Sequence, residues 1–153
     1  MRTGLWNLLR YWMPVLGWMA SIFGFSTDGF SAPHTSRFTR PFLLWLKPDI
    51  TEASIEFAQL CVRKTAHGVE YAILAALLWR ALYRPNSREI RPWLRGKAFT
   101  AWAFAVVYAL SDEFHQTFTN TREGNLRDVA IDSVGAFFGL FVIWLTGRVF
   151  RRW

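Results

Sequence analysis

Three short polar stretches hold most of the residues able to do chemistry. They are Arg63-Lys64-Thr65-Ala66-His67-Gly68-Val69-Glu70-Tyr71, Asp112-Glu113-Phe114-His115-Gln116 and Arg127-Asp128-Val129-Ala130-Ile131-Asp132. Adjacent carboxylates near a histidine suit general acid–base work. His67 and His115, with the carboxylates, are also possible ligands for a divalent metal. Lys64 and Arg122 suit a phosphate or carboxylate, arginine in a bidentate way.

Each stretch borders or enters a long apolar segment. The chain has 153 residues, 52% of them hydrophobic, with 9 Trp and 14 Phe, a load that excludes disorder and is high for a small soluble domain. One domain over residues 1–153 fits this length. Four segments approach the roughly 20 residues that a spanning helix needs. They run from about Leu5 to Phe25, Leu60 to Tyr83, Ala98 to Phe118 and Val129 to Gly147. Stretches such as Ala98 to Leu110 show no polar face, so soluble core helices are a poor alternative. A signal peptide, with Phe30-Ser31-Ala32 as a cleavage-like site, is the weaker reading of the first segment. The expected fold is therefore all-α, a bundle of four transmembrane helices.

Charge orients the bundle. Arg2, Arg10, Arg80, Arg84, Arg88, Arg91, Arg95, Lys97, Arg148, Arg151 and Arg152 lie at one set of helix ends with Glu89 alone, eleven basic residues against one acid, or +10. The other side keeps seven basic and ten acidic residues, or −3. The positive-inside rule then places both termini and the middle loop in the cytoplasm. Basic residues that hug helix ends read as topology signals facing anionic lipid, not as a nucleic-acid surface. The outer connection from Ser26 to about Gln59 carries Phe38 to Leu46, an aromatic piece too short to span and suited to a short interfacial helix. The lone Cys61 excludes an internal disulfide and reads as a buried apolar residue.

In this topology all three polar stretches arrive at the outer face. Lys64, His67 and Tyr71 share a stripe at i, i+3, i+7, with Glu70 one step round. Asp112 and Gln116 are i+4 neighbours, as Glu113 and Gln116 are at i+3. Asp128, Asp132, Gly135 and Gly139 form another stripe, and Gly135-x-x-x-Gly139 is a close-packing surface that should turn both aspartates inward. The loop with Arg122 and Asn125 should cover the site. The expected catalytic residues are His67, Asp112, Glu113 and Asp128. The expected substrate-binding residues are Lys64, Glu70, Tyr71, His115, Gln116, Arg122 and Asp132. Structural roles compete at each position. Lys64 can snorkel, His67 can pack, Asp112, Glu113 and Gln116 can hold helices together, and Asp128 can complement a helix dipole. His115 and Glu123 can be ordinary loop residues.

At these residues the sequence resembles the VanZ-like family of small bacterial membrane proteins. The matching pieces are Trp18 to Ser26, Arg63 to Tyr71, Ser111 to Gln116, Arg122 and Asp128 to Gly135, in order and with matching spacing. The family often has Pro-Gly-Arg where this chain has Asn120-Thr121-Arg122, and many members have Asn at Asp132. The resemblance implies a multi-pass inner-membrane protein of the cell envelope, with reduced sensitivity to teicoplanin-type lipoglycopeptide antibiotics as the namesake's property. It supplies no reaction. An enzyme acting on a lipid-linked or anionic envelope substrate, a non-catalytic protein that binds lipid or antibiotic or serves as a scaffold, and a proton-coupled pathway all stay open. The expected partners are membrane lipids and that substrate, without nucleic acid, and a divalent metal is an option.

Overall fold

The computed structural model describes residues 2–27, 32–83, 92–118 and 124–151. These form five helices, α1 (Arg2–Phe25), α2 (Ala32–Leu46), α3 (Glu52–Tyr83), α4 (Arg95–Gln116) and α5 (Leu126–Val149), with no strand among the described residues. Local signals set several boundaries. Thr51 accepts from the Ser54 amide at 3.3 Å, and Glu52 follows in the first turn of α3. Asn125 caps α5 by accepting from the Arg127 amide at 3.0 Å, with Asp128 in the first turn and Arg148 in the last.

α1, α3, α4 and α5 alternate in direction. The Ser26–Asp112 bond joins the ends of α1 and α4 at one pole. At the other pole Lys97 Nζ donates to the Leu82 carbonyl at 2.8 Å and closes the end of α3. There too the Arg80 guanidinium lies over the Tyr11 ring at 5.0 Å. Small residues bring the helices together. On α4, Ala101, Ala105 and Ala109 are fully buried at four-residue spacing. On α5, Gly135 and Gly139 face α3 so closely that an added Cβ would lie 2.7 Å from Gly68 Cα and 2.8 Å from Ala72 Cα. Aromatic donors add cross-links. Trp18 Nε1 donates to the Glu70 carbonyl at 2.9 Å, Tyr108 Oη to the Met19 carbonyl at 2.7 Å, and Trp102 Nε1 to the Ser133 carbonyl at 3.0 Å.

The outer surface is strongly apolar. Phe99, Phe104, Val107, Leu110 and Phe114 on α4 are exposed, as are Val134, Phe137, Phe138, Phe141 and Leu145 on α5 and Leu8, Leu9, Met13 and Leu16 on α1. Soluble monomers rarely expose continuous apolar surface of this kind. Among the described helices, α5 alone is long and apolar enough to cross a membrane by length and composition. α1, α3 and α4 have the length, at 24, 32 and 22 residues, but charges interrupt them. The charges inside the apolar stretches include Arg10 in α1, Lys64, Glu70 and Arg80 in α3, and Asp112 and Glu113 in α4.

The apolar segment from Leu60 to Tyr83 lies within α3, which starts at Glu52, where Thr51 and a first-turn acid give a helix-start signal, and is 32 residues long. Two expectations change. The interfacial piece extends beyond Phe38 to Leu46, as a 15-residue helix that continues through Pro41. Its Phe38, Phe42 and Trp45 recur at i, i+4, i+7 and are exposed on one face. Cys61 is exposed on α3, since the buried stripe of that helix runs along Tyr71, Leu74, Ala75 and Leu78 instead.

Candidate functional site

Each packing stripe ends in a polar residue at the same pole. On α4 the alanine stripe continues into buried Asp112, Glu113 and Gln116. On α5, Val129, Asp132, Ala136 and Leu140 share the inward face. On α3 the stripe opens with Tyr71, and on α1 Val15 and Ile22 lead to buried Ser26. The same periodicity that packs the core therefore carries the polar groups inward.

Asp112 is held from two sides. Ser26 Oγ donates to Asp112 Oδ2 at 2.7 Å, and Gln116 Nε2 donates to the same oxygen at 3.1 Å. Glu113 Oε2 accepts the Asn125 backbone amide at 2.7 Å, which folds the start of α5 over α4. Gly124 permits this return, because a Cβ there would lie 2.7 Å from Thr117 Cγ2. Lys64 Nζ pairs with Asp128 Oδ1 across α3 and α5. His67 Nδ1 stands 3.9 Å from both Glu70 Oε2 and Asp132 Oδ1.

Several buried polar atoms have no hydrogen-bond partner among the described residues. They include Tyr71 Oη, Asp112 Oδ1, Glu113 Oε1 and both carboxyl oxygens of Asp132. Asp132 is fully buried, within electrostatic reach of Glu113, Asp112, Asp128 and Glu70. Tyr71 is within reach of Asp112, Asp132 and Glu113. Each unsatisfied buried group costs about 1–3 kcal/mol. A cluster of them on three helices is a costly arrangement, and such costs concentrate at functional sites.

A family model described as VanZ/LLP1 matches residues 11–148. The chain belongs to this VanZ-like family. The matched span contains the whole cluster, from Trp18 at the α1–α3 crossing to Ser133 on α5. No curated protein and no solved structure matches the chain. Family membership and the apolar α5 make this VanZ-like protein a membrane protein associated with the cell envelope.

Of the expected site residues, Lys64, His67, Glu70, Tyr71, Asp112, Glu113, Gln116, Asp128 and Asp132 meet at this pole. His115 takes a different direction, stacking on Phe23 of α1 with ring centroids 4.3 Å apart. Arg122 lies outside the described residues. Among the described residues no three His, Cys, Asp or Glu side chains are grouped closely enough to hold a metal ion. The Ser26 hydroxyl escaped the reading of charges, and Asn125, expected only as part of a covering loop, contributes its backbone amide. Ser26 carried one signal, its place at the end of an apolar run in a family motif. A backbone amide carries none.

Proposed function

We propose that this VanZ-like protein is a multi-pass protein of the bacterial plasma (inner) membrane that binds and transforms an anionic, lipid-linked envelope substrate at its outer face. α1, α3, α4 and α5 are the four spans, with both termini in the cytoplasm, and α2 lies at the outer interface. The apolar flanks of the bundle, the basic pole and the exposed aromatic stripe of α2 support this placement.

One observation carries the functional reading. Asp132, Glu113, Asp112 and Tyr71 hold buried oxygens with no hydrogen-bond partner among the described residues, inside an apolar bundle and beside the Lys64–Asp128 pair. Carboxyl groups accept and, when protonated, donate hydrogen bonds, which suits acid–base chemistry on a bound head group. In this reading Glu113 and Asp132 exchange protons with the substrate, and His67 relays between Glu70 and Asp132. Lys64 and Arg122 bind its anionic group, with Asp128 holding Lys64 ready. Asp112, already engaged by Ser26 and Gln116, positions α1 against α4. Occupancy of a lipid-linked envelope intermediate would also alter sensitivity to teicoplanin-type lipoglycopeptides.

A melting titration in detergent with a long-chain polyprenyl phosphate tests the proposal. The ligand should raise the Tm of the wild type and have little effect on Asp132→Asn or Lys64→Gln. Equal rises in all three proteins would sink it.

A further inference from the structure

Toward the pole opposite the carboxylates, α4 and α5 flank a groove of about 470 Å³. Its walls include Trp93, Phe99, Trp102, Phe141 and Trp144, with Arg95 at the rim. This volume falls within the roughly 300–1,000 Å³ of small-molecule sites. The aromatic wall is built in. Trp93 stacks on buried Trp79 at 5.0 Å, and Trp79 stacks on Tyr83 at 4.5 Å. Trp102 is anchored by its bond to the Ser133 carbonyl. The interior is almost wholly apolar, whereas the surroundings are basic.

Arg80, Arg95, Lys97, Arg148 and Arg151 gather at this pole, and the Arg148 guanidinium lies over the Trp144 ring at 5.9 Å. No acid occupies the first turn of α4, where Arg95 and Lys97 stand. Every acid among the described residues lies in 49–70, 112–113 or 128–132, toward the other pole. An apolar slot with a cationic rim on a lipid-facing flank is complementary to a molecule with a hydrocarbon tail and an anionic head.

We propose that the α4–α5 groove binds one anionic phospholipid, its acyl chain along Phe99, Trp102 and Phe141 and its phosphate against Arg95. The site is separate from the carboxylate cluster and does not depend on the reading given to that cluster.

Native mass spectrometry of the detergent-purified protein, with phosphatidylglycerol or phosphatidylcholine added, tests this. The phosphatidylglycerol adduct should exceed the phosphatidylcholine adduct about tenfold, and Arg95→Glu should lower it by about that factor. Arg95 is exposed, so this variant should fold. Arg40→Gln on α2, where Arg40 pairs with Glu52 at the other end of the bundle, should retain the adduct. Ala98→Trp, which fills the groove, should remove it. Equal adducts of the two lipids, or an undiminished phosphatidylglycerol adduct in Arg95→Glu, would overturn the proposal. A dimer that Ala98→Trp disrupts, without lipid adducts, would also overturn it and assign the groove to a second copy of the chain.

Discussion

The Ser26 hydroxyl reaches Asp112 Oδ2 at 2.7 Å and ties the end of α1 to the end of α4 across 86 positions of sequence. Both groups are buried, so neither can exchange this bond for water. Ser26→Ala should cost about 1–3 kcal/mol, and Asp112→Ala more, because it removes the acceptor of both the Ser26 and the Gln116 bond. Unfolding in mixed micelles measures this. Wild-type stability in both variants would remove Asp112 from its positioning role.

Two glycines facing each other should respond oppositely to alanine. Gly135→Ala sets a Cβ against the α3 backbone, 2.7 Å from Gly68 Cα, and should cost about 1–3 kcal/mol. Gly68→Ala meets nothing within 4 Å and should be neutral or stabilise by up to about 1 kcal/mol through helix propensity. Comparable losses in both would show that α3 and α5 pack differently.

Lys64 and Asp128 should be coupled. Their side chains are partly buried, at 34% and 15% exposure, so the pair contributes more than a fully solvated one. A double-mutant cycle with Lys64→Ala and Asp128→Ala should give a coupling of about 1 kcal/mol. Additive single effects would argue against a bridge between the helices.

Asp132→Asn and Glu113→Gln should melt at or above the wild-type temperature. Residues kept for function are often held at a cost to stability, and neither Asp132 oxygen is hydrogen-bonded by a described residue. Losses of several degrees in both variants would assign these carboxyls to structure and weaken the site reading.

Cys61 tests the orientation. It is exposed three residues before Lys64 on α3, so an impermeant maleimide should label it on intact spheroplasts. Arg151→Cys in a Cys61→Ser background should react only after permeabilisation. The reverse pattern would invert the topology.

Much of the bundle was legible in the sequence. Long apolar runs specify helices, the skewed charges sort their ends, and a helical period puts Asp132, Gly135 and Gly139 on one stripe. The pairing of Asp112 with Gln116 followed from four-residue spacing alone. These are local properties, read from residues close together in the chain. What the tertiary structure decided was which polar atoms meet. Ser26 reaches Asp112, the Asn125 amide reaches Glu113, Lys64 faces Asp128, and His115 turns to Phe23. Those choices depend on rotation and axial offset between helices, which are set by how closely small residues allow backbones to approach. Periodicity names the inward face of each helix. Only packing determines the height at which that face meets another.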